Sequence, residues 1–217
     1  GGPLTRDAAA MRRAYGFRHR HVGLLGSPWS RGWSLRPSTD PRLQLLDHVD
    51  PGDRVWLHYG MTLLTHPFFR SAAAMIGQLG RQRDSIKRDS IRAKLVGEYG
   101  ELGTVRESVN RVLFSLTDWG AIAPVNGSRA IRPVESAFRT ECQHLQLWLL
   151  ASALEASPKH EVLLPDLLRL PELFPFHLTV GLDDIRRFSV FDVQRQGNGW
   201  DTVKLDHERR QEIPDSR

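Results

Sequence analysis

The sequence predicts an α+β fold that is predominantly α-helical. Apolar residues recur at helical spacing in several stretches, two short alternating segments flank turns rich in Gly and Asn, and one helix carries signals at both ends. With 217 residues, 40% hydrophobic and 25% charged, the chain can bury a real core, and its length suits one large domain or two small ones. Two is the expectation, preceded by a basic N-terminal arm.

Residues 1–54 read as that arm and a short helix. Arg12, Arg13, Arg18, His19, Arg20 and His21 precede Ser27-Pro28-Trp29-Ser30-Arg31-Gly32-Trp33, where no period persists, although Phe17, Trp29, Trp33 and Leu35 can dock on a folded neighbour. Gly1-Gly2-Pro3, ahead of Met11, is set aside. Leu43, Leu45, Leu46 and Val49 suggest a short helix, and Asp50-Pro51-Gly52-Asp53 a turn. An apolar stretch from Val55 to Leu64 follows.

Residues 55–134 form the best-marked region. Pro67 suits the first turn of a helix reaching about Gln82, with Phe68, Ala72, Met75, Ile76 and Leu79 inward. Ser85-Ile86 reads as a short strand, and Lys87 to Glu98 as a helix that turns Ile91, Leu95 and Val96 inward. Thr104 and Glu107 have capping-box spacing at the start of the next helix, whose stripe is Val105, Val109, Val112, Leu113, Leu116 and Trp119, with Gly120 at its C-cap. Asn126-Gly127 between residues 121–125 and 129–134 is a strong hairpin signal.

The order helix, short strand, helix, helix, hairpin resembles the winged helix-turn-helix superfamily. The resemblance is carried by Ser85-Ile86, the break at Glu98-Tyr99-Gly100, the helix from Thr104 to Trp119 and the Asn126-Gly127 hairpin. It implies that the third helix enters the major groove of double-stranded DNA while the wing touches the backbone or the minor groove. Carried onto this chain, Arg106, Asn110 and Arg111 are candidates for base edges or phosphates and Arg129 and Arg132 for phosphates. Thr104 joins them at the start of the helix, and Lys87, Arg88, Arg92 and Lys94 supply cations on or before the second helix.

Residues 135–206 suggest a second, diverged unit ending in its own wing, with 207–217 as a tail. A helix from Pro133 to Ala156 is expected to carry Phe138, Cys142, Leu145, Leu149 and Ala153 on one face, with Cys142 buried. Leu163–Leu170, Pro171–His177 and Leu182–Phe188 read as short helical pieces. Around Gly197-Asn198-Gly199 a hairpin is expected to pair Phe191 with Leu205, Val193 with Val203 and Arg195 with Asp201.

Charge follows the same division. Residues 1–66 hold nine Arg/Lys against five Asp/Glu, 67–134 eleven against six, and 135–217 ten against fourteen. A polyanion-binding surface on the basic part is the expectation, with Arg186, Arg187 and Arg195 as minor contributors from the acidic part. Regulation of transcription and DNA-associated defence or repair are both compatible uses. The alternative is a non-catalytic scaffold whose protein partner meets the acidic third and Phe114, which lies opposite the apolar stripe. A metal-dependent nuclease is third: Asp192, Asp201 and Lys204 fall on adjacent strands, but a cross-strand charge pair explains them better.

Neither cofactor nor metal is expected. Cys142 and His144 are two ligands without a second cysteine, and His58 and His66 share a face only if one helix runs through Pro67. No G-x-S-x-G, Walker or dinucleotide-binding motif occurs, so no enzyme is expected. Apolar runs stop short of the ~18 residues that span a bilayer. No secretory leader pattern opens the sequence and Cys142 has no cysteine partner, so the expected address is a reducing cytoplasm without membrane contact.

Overall fold

The computed structural model describes residues 49–100, 103–197 and 199–206. The expected arm, nearly all of the Leu43–Val49 helix and the C-terminal tail lie outside the described residues. The chain divides between Arg54 and Val55. On the near side a single 3-10 turn, Pro51–Asp53, occupies the expected turn, with the Asp53 amide bonded to the Asp50 carbonyl at 2.8 Å.

From Val55 onward one compact unit follows, containing two successive sets of elements. Helix α1, Arg54–Thr65, leads into α2, Pro67–Gly80. Strand β1, Ile86–Lys87, is followed by α3, Arg88–Tyr99, and α4, Gly103–Trp119. Strands β2, Ile122–Pro124, and β3, Ala130–Pro133, complete an antiparallel sheet in the order β1-β3-β2.

The second set repeats the order found from α2 onward. Helix α5, Gln143–Ala156, precedes β4, Glu161–Leu163, and α6, Leu164–Leu167. After a 3-10 turn, Pro171–Leu173, come α7, Leu182–Arg187, β5, Phe191–Arg195, and β6, Asp201–Leu205, in a sheet ordered β4-β6-β5. The result is an α+β protein with two small antiparallel sheets.

The halves share a core through α1. Tyr59 meets Phe69 and Trp119 of the first set at ring-centroid distances of 5.2 and 5.9 Å, and Phe176 of the second at 4.8 Å. Trp56 stands 4.5 Å from Phe176. Such tilted and edge-on pairs add to the large area these rings bury. Glycines permit the closest approaches. A Cβ on Gly60 would lie 2.4 Å from the Trp148 ring, and one on Gly77 only 1.9 Å from the Pro171 carbonyl oxygen. Helix α5 buries residues around most of its circumference, as an interior helix does.

Its buried amide organises the second set. Gln146 Nε2 donates to the Thr140 carbonyl and to Thr179 Oγ1, both at 2.9 Å, while Oε1 accepts from the amides of Thr179 and Val180 at 2.7 and 3.2 Å. Both loops are thereby tied to the start of α5.

Three expectations are corrected. The helix foreseen from Pro133 begins only at Gln143. Phe138 instead pairs by backbone with the segment around Phe176, its amide bonding to the Pro175 carbonyl at 2.9 Å and its carbonyl accepting from His177 at 2.9 Å. Apolar spacing suggested a helix, but hydrogen-bond partners distant in sequence hold the segment extended. Cys142 in consequence precedes the helix and is exposed rather than buried. The piece from Leu163 is helical over Leu164–Leu167, with Leu163 itself closing strand β4, whereas of Pro171–His177 only Pro171–Leu173 is helical.

Candidate nucleic-acid interface

Helix α4 is sorted by its own periodicity. Val105, Val109, Val112, Leu113 and Leu116 are buried, while Arg106, Glu107, Asn110, Arg111 and Phe114 are exposed on the other side. Phe114 retains 60% of its surface. The helix begins at Gly103, so the exposed Thr104 sits inside the first turn rather than at its cap. Glu107 forms an ion pair with Arg111 one turn later. That carboxylate lies among the candidate contacts, and the i,i+4 spacing is the sequence signal that finds the pair.

The sheet gathers three cations at one end. Lys87 is in register with Ala130, and the Arg88 amide donates to the Arg129 carbonyl at 3.1 Å. Lys87, Arg88 and Arg129, all exposed, therefore stand together beside the turn that joins β2 to β3. This turn is wider than a two-residue hairpin. Val125 pairs with Ala130, the Ser128 amide reaches the Val125 carbonyl at 3.2 Å, and Gly127 takes φ 73°, a left-handed conformation that suits glycine.

The other candidates separate from this group. Lys94 is exposed on α3, whereas Arg92 is partly covered and bound to Asp89 at 3.1 Å. Arg132, opposite Ala123 in β2, lines a shallow hollow with Arg83, Asp84 and Glu135, about 10 Å along the strand from Arg129. Two carboxylates thus share its surroundings.

In the second set, several cations are already partnered. Arg186 bonds Asp201 at 2.5 Å and Asp183 at 2.7 Å, and those bonds hold its pKa above the usual guanidinium value. Lys204 pairs with Asp192, its neighbour in register, at 3.3 Å. The acids and lysine considered for nuclease chemistry thus form cross-strand and helix-to-strand ion pairs. Arg187 and Arg195 are exposed, as is Trp200, with 57% of its surface open.

Metal ligation gains no cluster. Among the described residues no three His, Cys, Asp or Glu side chains stand close enough to hold an ion. Helix α1 ends at Thr65 and α2 starts at Pro67, so His58 and His66 lie on separate elements. The ring of His144, on α5, packs 6.2 Å from that of Phe188. No helix among the described residues is long and apolar enough to cross a membrane. No protein-family model matches the chain, and comparison with curated proteins and with solved structures finds none similar to it.

Proposed function

We propose that this protein binds double-stranded DNA through the exposed face of α4 and the cationic end of the first sheet, as a winged helix does. The observation that carries the reading is the element order α2-β1-α3-α4-β2-β3 with strand order β1-β3-β2, combined with Lys87, Arg88 and Arg129 at the hairpin end of the sheet. In this reading Arg106, Asn110 and Arg111 face base edges or phosphates, and the hairpin cations hold the backbone. Arg and Asn can each make the bidentate contacts that distinguish guanine and adenine. The reading assigns DNA association, regulatory or protective, and no reaction.

A second reading belongs to the last third. Its net acidity, its ion-paired Arg186 and Lys204 and the exposed Trp200 favour a protein contact there. The two readings concern different surfaces and are compatible.

The test is a fluorescence-anisotropy titration against random-sequence duplex DNA at two salt concentrations, with Arg106→Glu/Arg111→Glu as control. Salt-sensitive binding that the double variant loses supports the assignment. Binding that survives the charge reversal removes α4 from the interface, and no binding at low salt removes DNA as the ligand.

A further inference from the structure

We infer that Phe114 is a base-reading residue whose partner is the 5-methyl group of thymine in the major groove. The inference rests on the DNA-binding reading and adds a base preference to it.

Phe114 occupies the middle of the outward face of α4. At about 100° per residue, Glu107 lies about 20° and Arg111 about 60° to one side of it, while Asn110 lies about 40° and Arg106 about 80° to the other. Buried Val105 falls diametrically opposite. A ring so placed points wherever the face as a whole points.

Its surroundings decide what it can meet. The flanking side chains are an amide, two guanidiniums and a carboxylate, all exposed, and the other exposed large hydrophobic residues among those described, Tyr99, Leu163 and Trp200, lie on other elements. Protein-docking patches are contiguous in apolar area and depleted of charge at their centre. A single apolar ring bordered by hydrogen-bonding groups matches instead the edge of an A·T pair, where adenine offers a donor and an acceptor and thymine a methyl group. The charge balance of residues 67–134, eleven Arg/Lys against six Asp/Glu, complements a polyanion.

Spacing agrees with this assignment. Asn110 and Phe114 are one turn apart, about 6 Å along the helix, which spans about two base pairs at 3.4 Å each. Asn110 can thus bond adenine N6 and N7 while Phe114 covers a thymine methyl within two pairs of it.

The experiment compares two 20-base-pair duplexes, alternating dA-dT and the same sequence with deoxyuridine for thymidine, which removes the methyl and keeps the pairing. Wild-type protein should bind the thymine duplex about fourfold more tightly, the equivalent of burying one methyl-sized group. Phe114→Ala should bind both equally, and Phe114→Leu should keep part of the preference; circular dichroism melts verify that both variants remain folded. Equal binding of the two duplexes by wild type overturns the inference, leaves the DNA reading intact and returns Phe114 to a protein contact. A preference that persists in Phe114→Ala also overturns it, because the methyl is then sensed elsewhere. If wild type binds neither duplex at low salt, the DNA reading itself fails and takes the inference with it.

Discussion

The α-carbon of Gly77 faces the Pro171 carbonyl so closely that a Cβ there would stand 1.9 Å from the oxygen and 2.8 Å from the carbonyl carbon. The obstacle is backbone, so no side-chain rotation relieves it. Gly77→Ala should therefore part α2 from the 170–174 segment and cost about 3 kcal/mol, the upper range for overpacking. Gly97, also helical, has nothing within 4 Å of its Cβ position. Gly97→Ala should instead stabilise by about 0.5–1 kcal/mol through helix propensity. Urea denaturation of the two variants checks the opposite signs.

Beside that contact, α1 and α2 meet the same 3-10 turn through polar groups. The Tyr59 hydroxyl donates to the Glu172 carbonyl at 2.7 Å, and Arg70 stands 3.5 Å from the Glu172 carboxylate, which is only 2% exposed. Tyr59→Phe should cost about 1 kcal/mol, the net worth of one such bond. Burial raises the Glu172 pKa, with the backbone bond and Arg70 opposing it. The folded state thus holds this proton more tightly than the unfolded chain. Its contribution to stability falls as pH rises from the ordinary glutamate range through the raised value, and levels off above it. Glu172→Gln should gain on wild type over that window, measured as the difference between urea midpoints at successive pH values.

The buried Gln146 makes a comparable prediction for the second set. Gln146→Leu fits the volume but leaves the Thr140 carbonyl and the Thr179 and Val180 amides without the bonds they now make. A loss of about 3 kcal/mol is expected. Because the site lies in the second set, DNA affinity of the folded variant should stay at the wild-type value, checked by anisotropy below its melting temperature.

Local chemistry made part of this fold legible. In the second hairpin, alternation and a Gly-Asn-Gly loop set every pairing, and Phe191–Leu205, Val193–Val203 and Arg195–Asp201 are opposed as expected. The stripe of α4 is likewise a matter of period alone. The segment before Gln143 was not legible, because what keeps Phe138 extended is the Phe176 region, nearly forty residues away. Strand β4 is three residues long with Leu163 exposed, so it carries no alternation to read. Among the candidate contacts, the sequence identifies the cations but not their company. That Arg88 joins Arg129 while Arg132 sits with Asp84 and Glu135 follows from strand register.

That division of company yields a prediction within the proposed interface. Arg129→Ala should weaken duplex binding and lower the salt slope by about one, as the loss of one phosphate contact does. Arg132→Ala, in a hollow shared with two carboxylates, should change both much less. Equal effects in salt-dependent anisotropy would mean that the whole length of β3, and not its hairpin end, meets the backbone.

Glu107 offers the sharpest test, because it predicts a gain. Its carboxylate pairs with Arg111 on the face proposed to meet phosphates, so it both occupies a cation and repels the ligand. An exposed i,i+4 pair contributes only about 0.3–0.5 kcal/mol to stability, and Glu107→Gln should melt close to wild type. In DNA binding the same change removes one negative charge beside Arg106 and Arg111. Affinity should rise severalfold at low salt, and the gain should shrink as salt screens the charges. Glu98→Gln, which removes a carboxylate on α3 that accepts a hydrogen bond from Ser71 of α2 at 3.0 Å, serves as the matched control and should leave affinity nearly unchanged. A gain of the same size from both variants would reflect net charge alone and would place neither residue in the interface.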